Sequence, residues 1–118
     1  MISMREAYEK TGADYDGASV RLMGEEMLAR FALKFLDDES MDKLEAAMAA
    51  GDAEGAFMAA HTLKGVSQNL GFDNLYEPAV VVAEALRNAD TVDGARDGMH
   101  ALRRQYAATM SALREAAE

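Results

Sequence analysis

His61, Lys64, Gly65 and Gln68 are the residues of this chain whose types and spacing could do chemistry. Read as an α-helix, the stretch from Asp52 to Leu70 advances about 100° per residue. With His61 at zero, Lys64 falls at roughly −60°, Gly65 at roughly +40° and Gln68 at roughly −20°. An imidazole, an amine, a residue without a side chain and an amide therefore share one face. Ala56, Ala59, Leu63, Val66 and Leu70 cluster on the opposite face and form the core stripe. His61 is expected to point into water. The glycine is the odd choice, because glycine inside a helix costs roughly 1 kcal/mol relative to alanine. Placed one turn after His61, it clears a path to the ring. An open imidazole beside an ammonium suits receipt of a phosphoryl group: the ring nitrogen attacks and the cation offsets charge on the phosphoryl oxygens.

The run Ala60-His61-Thr62-Leu63-Lys64-Gly65, followed by Ser67, Leu70-Gly71 and Leu75, resembles the histidine-containing phosphotransfer (HPt) domain of bacterial phosphorelays. The likeness extends more loosely over residues 20 to 115. It implies a helical bundle that carries phosphate on His61 between aspartates of receiver domains, in response regulators or hybrid kinases. It further implies that the magnesium ion of the transfer belongs to the receiver and that this chain needs no cofactor. One departure stands out. Many members carry polar side chains on the helix after Gly71 that point back to the histidine, whereas Ala79 to Ala83 here are all apolar. Lys64 and Gln68 are then the groups expected to steady the phosphate.

The rest of the chain is consistent with a carrier. Its 118 residues suffice for one domain with one core, read as 1–118 with a bundle core over 24–116 and an N-terminal cap over 1–23. Cysteine is absent, which excludes disulfides and thiolate chemistry. The net charge of −9 argues against a nucleic-acid partner, since phosphate backbones demand a basic surface. No apolar run approaches the ~20 residues needed to span a bilayer, and the start of the chain is too polar for a signal peptide. The expectation is a cytoplasmic monomer.

The elements that must position His61 read as helices. Met1 to Tyr15 forms a short one, with Met4, Ala7 and Tyr8 on one side. Asp16-Gly17 reads as a turn and Ala18 to Met23 as a second short piece. Gly24 to Leu36 carries an apolar stripe of Met27, Leu28, Phe31, Phe35 and Leu36. Ser40 reads as the N-cap of a helix to Ala50, and Gly51-Asp52 closes that helix and caps the next. Asp73 reads as the cap of a helix reaching Asn88, with a turn or kink around Pro78. A polar loop follows to Gly94, then a long helix from Ala95 to Ala116 with Met99, Leu102, Tyr106, Met110 and Leu113 at three-and-four spacing. The sum is an all-α, antiparallel up-down four-helix bundle with one or two short additional N-terminal helices.

Other candidate chemistry is thin. His100 lacks a glycine one turn later and reads as a surface or boundary residue. Two distant histidines give no metal ligand set. Ser67 has no nucleophile-elbow context and sits toward the core. Phe57 and Met58 flank His61 on the helical wheel and make an apolar docking patch for a partner. A rival reading keeps only that patch: an acidic helical interaction module that docks partners through Phe57 and Met58 without carrying phosphate.

Overall fold

The described part of the computed structural model, residues 1–117, contains helices and no strand. The first two helices are short and individually capped. α1 (Met4–Thr11) begins with a capping box in which Ser3 and Glu6 bond reciprocally, and ends at Gly12 with φ of +80°. α2 (Tyr15–Arg21) starts where Asp14 accepts from the Gly17 amide. Asp16 and Gly17, read as a turn, are the second and third residues of this helix instead, because the Asp14 cap lets it begin earlier.

α3 (Glu25–Lys34) continues into a 3-10 turn over Phe35–Asp37. Its stripe is narrower than the periodicity suggests. Leu28, Ala32 and Phe35 are buried, whereas Met27 and Phe31 are more than a third exposed. The spacing is compatible with either placement, and only the position of neighbouring helices decides how wide the covered arc is.

α4 (Ser40–Ala50) is followed after Gly51 and Asp52 by α5 (Ala53–Asn69). Gly51 adopts φ of +70° and the Asp52 carboxylate accepts from the Gly55 amide at 2.9 Å, as expected for that junction. Ser40 is not the cap of α4. Glu39 occupies that position without a side-chain bond, and Asp38 instead accepts from the Ser40 amide at 2.9 Å.

α6 (Asp73–Leu86) runs unbroken through Pro78. No separate turn forms, and Phe72, rather than Asp73, holds the cap position without a side-chain bond. Leu75, Ala79, Val82 and Leu86 are buried on both sides of the proline, so packing of this stripe outweighs the one amide bond that proline cannot make. The connection after α6 buries Val92 and passes through a 3-10 turn (Asp93–Ala95) into α7 (Arg96–Ala117).

α5 is the central element. It packs against α6 on one side and α4 on the other, α7 packs on α6, and α1 lies along α7. Leu28, Leu44, Leu63, Leu75, Leu86, Met99, Leu102 and Leu113 fill the space between them. Burying each such side chain stabilises the fold by about 1.5–3 kcal/mol. Phe72, at the bend between α5 and α6, has its ring 5.3 Å from those of both Tyr8 and Phe35. Tyr15 and Tyr106 extend this aromatic row at 5.4 and 6.1 Å.

The N-terminal segment closes the far end of α5. The Tyr8 hydroxyl donates to the Leu70 carbonyl at 2.6 Å. The Asp14 amide donates to the Gly71 carbonyl at 2.7 Å. The Arg21 guanidinium donates to the carbonyls of Gln68 and Asn69 at 3.1 and 3.3 Å. Gly71 adopts φ of +73°, and a Cβ there would lie 2.6 Å from the Asp14 carbonyl oxygen and 2.9 Å from the Ala18 methyl. Only glycine allows both the turn and this approach.

Candidate functional site

The Asp52 cap sets where α5 begins, and the 3.6-residue period does the rest. Ala56, Ala59, Ala60, Leu63, Ser67 and Leu70 are buried. His61, Thr62, Gly65 and Gln68 are exposed and Lys64 is half-buried, so the imidazole stands opposite the core stripe. Thr62 turns its hydroxyl back to the Met58 carbonyl at 3.0 Å.

Gly65 stands in open space. A Cβ added there would meet nothing within 4 Å, and its φ is not in the left-handed region. Neither packing nor backbone conformation therefore requires a glycine at this position. The surface of α5 one turn after His61 is therefore bare at this position.

The two apolar neighbours of His61 behave differently. Met58 is 59% exposed. Phe57 is half-buried, and its ring stacks on the imidazole with centroids 5.8 Å apart and planes at 28°. The guanidinium of Arg87, at the end of α6, lies over the same phenyl ring, 5.1 Å from its centroid. Glu84 holds that guanidinium at 2.9 Å. The bond from Arg87 and its charge lower the Glu84 pKa, and the charge of Lys64 contributes in the same direction. The charges of Arg87 and Lys64 thus both act on the Glu84 carboxylate. Phe57, Met58, Leu86 and Arg87 also line an open groove of about 520 Å³.

Gln68 shares the face but lies two turns from His61, roughly 10 Å along the axis. Its backbone carbonyl is engaged by Arg21. His100 is exposed on α7 in a separate cleft with Glu45, Arg96 and Arg103. Ser67 is fully buried. Among the described residues, no group of three His, Cys, Asp or Glu side chains gathers to hold a metal ion.

Glu84 and Arg87 escape a sequence reading that looks for polar groups only in the middle of α6. Counting fourteen residues either side of the bend at Gly71 brings Phe57 level with Ala85, which lies between them. In an antiparallel pair, the end of α6 therefore faces the first half of α5, and the Glu84-x-x-Arg87 spacing was the signal to follow.

His61 is thus an exposed imidazole on α5, one turn before Gly65 and stacked on Phe57. The family model for the Hpt domain matches residues 26–116, and the chain belongs to that family. Hpt domains serve histidine phosphotransfer in phosphorelays and interact with receiver domains of two-component systems. Searches of curated proteins and of solved structures return no match. No helix among the described residues is long and apolar enough to cross a membrane.

Proposed function

We propose that this protein accepts a phosphoryl group on His61 from the aspartyl phosphate of one receiver domain and passes it to the aspartate of another. A ring nitrogen of His61 directs its lone pair at phosphorus. The bond from phosphorus to the aspartyl oxygen breaks, and the carboxylate leaves with the electron pair. The second transfer reverses these roles. Lys64 faces the phosphoryl oxygens as they accumulate charge, Gly65 keeps the line of approach open, and Met58 belongs to the surface on which the receiver settles. Gln68, two turns away, reaches the group at most through water. The magnesium ion of the reaction is placed on the receiver, and the protein acts as a carrier rather than an independent catalyst. In this reading residues 1–118 act as one cytoplasmic, monomeric domain, with the antiparallel up-down bundle over residues 24–116 and α1 and α2 as its N-terminal cap.

The exposed imidazole next to a glycine that the fold does not require, within the Hpt family, carries this proposal. Its test is transfer from a panel of purified receiver domains charged with acetyl phosphate. The parent protein should take up label that is lost in acid and kept in alkali, as a phosphoramidate is. His61→Gln should take up none while keeping its helical circular dichroism. Labelling of that variant, or acid-stable label on the parent, would refute the assignment. Binding of receivers without any transfer of label would favour the interaction-module reading.

A further inference from the structure

We infer that Phe57 is a positioning residue for His61, and that α6 acts on the imidazole through it. This inference rests on the assignment of His61 as the phosphoryl acceptor. The inner part of α6 offers the imidazole only the apolar run Ala79 to Ala83. The connection is made at the helix end instead, as a row of four side chains. Glu84 holds Arg87 at 2.9 Å, Arg87 lies 5.1 Å from the centroid of Phe57, and Phe57 stacks on His61 at 5.8 Å. Both ring contacts lie within the distances at which such pairs attract.

An exposed histidine on a helix samples two χ1 wells, the third clashing with the preceding turn, and a broad, roughly two-fold χ2, about four orientations in all. Only an orientation that aims a ring nitrogen outward can attack phosphorus along the line left open by Gly65. Stacking on Phe57 selects among these orientations before a receiver arrives. Phe57 can do this because it is itself held, packed against the core below and covered by Arg87. Its half-buried position separates it from Met58, which is more exposed and makes no such stack. The pair expected as one docking patch thus divides into one residue that orients the histidine and one that faces the partner.

The test uses the full protein with Phe57→Leu, Phe57→Tyr and Arg87→Gln. The carbon-bound ring protons of His61, assigned by their absence in His61→Gln, report the stack through the ring current of Phe57. Phe57→Leu should move these resonances downfield, Phe57→Tyr should leave them near the parent position, and Arg87→Gln should fall between. Rapid-quench transfer from the acetyl-phosphate-charged receiver that labels the parent best gives the second measurement. At saturating receiver, Phe57→Leu should lower the transfer rate by about two- to fourfold, the loss of one selected orientation among about four. Phe57→Tyr should restore it, and receiver affinity should change little. Unmoved His61 resonances in Phe57→Leu would overturn the inference. So would an unchanged saturated rate, or a loss confined to affinity, which would make Phe57 a docking residue. Transfer onto His61→Gln would instead sink the functional assignment and leave the resonance measurement of the stack standing.

Discussion

Replacing Gly65 with glutamine separates access from stability. Nothing lies within 4 Å of a Cβ at this position, so the new side chain enters without a clash. Exchanging glycine for a good helix former inside a helix contributes roughly 0.5–1 kcal/mol. Unfolding entropy near 2.1 cal/mol/K per residue gives roughly 0.25 kcal/mol/K for 118 residues. The melting temperature should therefore rise by about 2–4 °C. Side chains on a helix lean toward the preceding turn, so a residue at 65 covers the surface over His61. Transfer from a charged receiver should fall by about tenfold or more, equivalent to about 1.4 kcal/mol in the barrier. Gly65→Ala, with only a methyl group, should gain the same stability and lose less activity. Melting curves and single-turnover transfer rates on the same preparations provide the measurement. A variant that melts higher and transfers as fast as the parent would refute the idea that Gly65 keeps the path clear. A variant that melts markedly lower would show that the glycine has a structural role.

Lys64→Ala should shorten the lifetime of the phosphorylated protein and slow transfer several-fold without unfolding it, because the amine is only half-buried; decay of label and a melting curve check both parts. Pro78→Ala should raise the melting temperature by about 4 °C or more, since alanine restores an amide to the sixth residue of α6 and avoids a penalty of up to about 3 kcal/mol; a lower value would mean that the ring fills its groove better than a methyl group does. Tyr8→Phe should cost about 1–2 kcal/mol at neutral pH by orphaning the Leu70 carbonyl. Burial raises the Tyr8 hydroxyl above the ordinary tyrosine value, so its contribution is intact below about pH 10 and declines as pH rises toward the folded-state pKa. Denaturant titrations from pH 8 to 11 should therefore show a shallower alkaline loss in Tyr8→Phe than in the parent.

The helices were legible where a stripe and its caps agree. The Gly51-Asp52 junction, the exposed face of α5 and the buried stripe of α7 follow from residue types within one or two turns of each other. What the periodicity could not convey depended on which neighbour lay opposite. Met27 and Phe31 match the α3 stripe but extend past the arc that other helices cover. Pro78 signals a break in any isolated peptide, yet packing on both sides of it holds α6 straight through. Phe57 reads as half of a docking patch on the wheel, and a wheel shows direction and not partners; the contacts of its ring with the imidazole and Arg87 come from the neighbouring turn and the end of α6. Gly65 is the residue whose type alone says most about the site, since a costly glycine in an alanine-rich helix asks for a reason.

The closure of the far end of α5 bears on where this domain starts. The recognisable Hpt family pattern begins at residue 26, yet the carbonyls of Asn69, Leu70 and Gly71 are bonded by Arg21, Tyr8 and Asp14. A fragment trimmed to the matched residues would keep His61 and lose those partners at the other end of its helix. Such a fragment should fray from Leu70 backward, exchange its amide protons faster there, and expose the face of Phe72 that Tyr8 covers. The matched stretch thus leaves out three donors, on Tyr8, Asp14 and Arg21, that hold the carbonyls at the far end of α5.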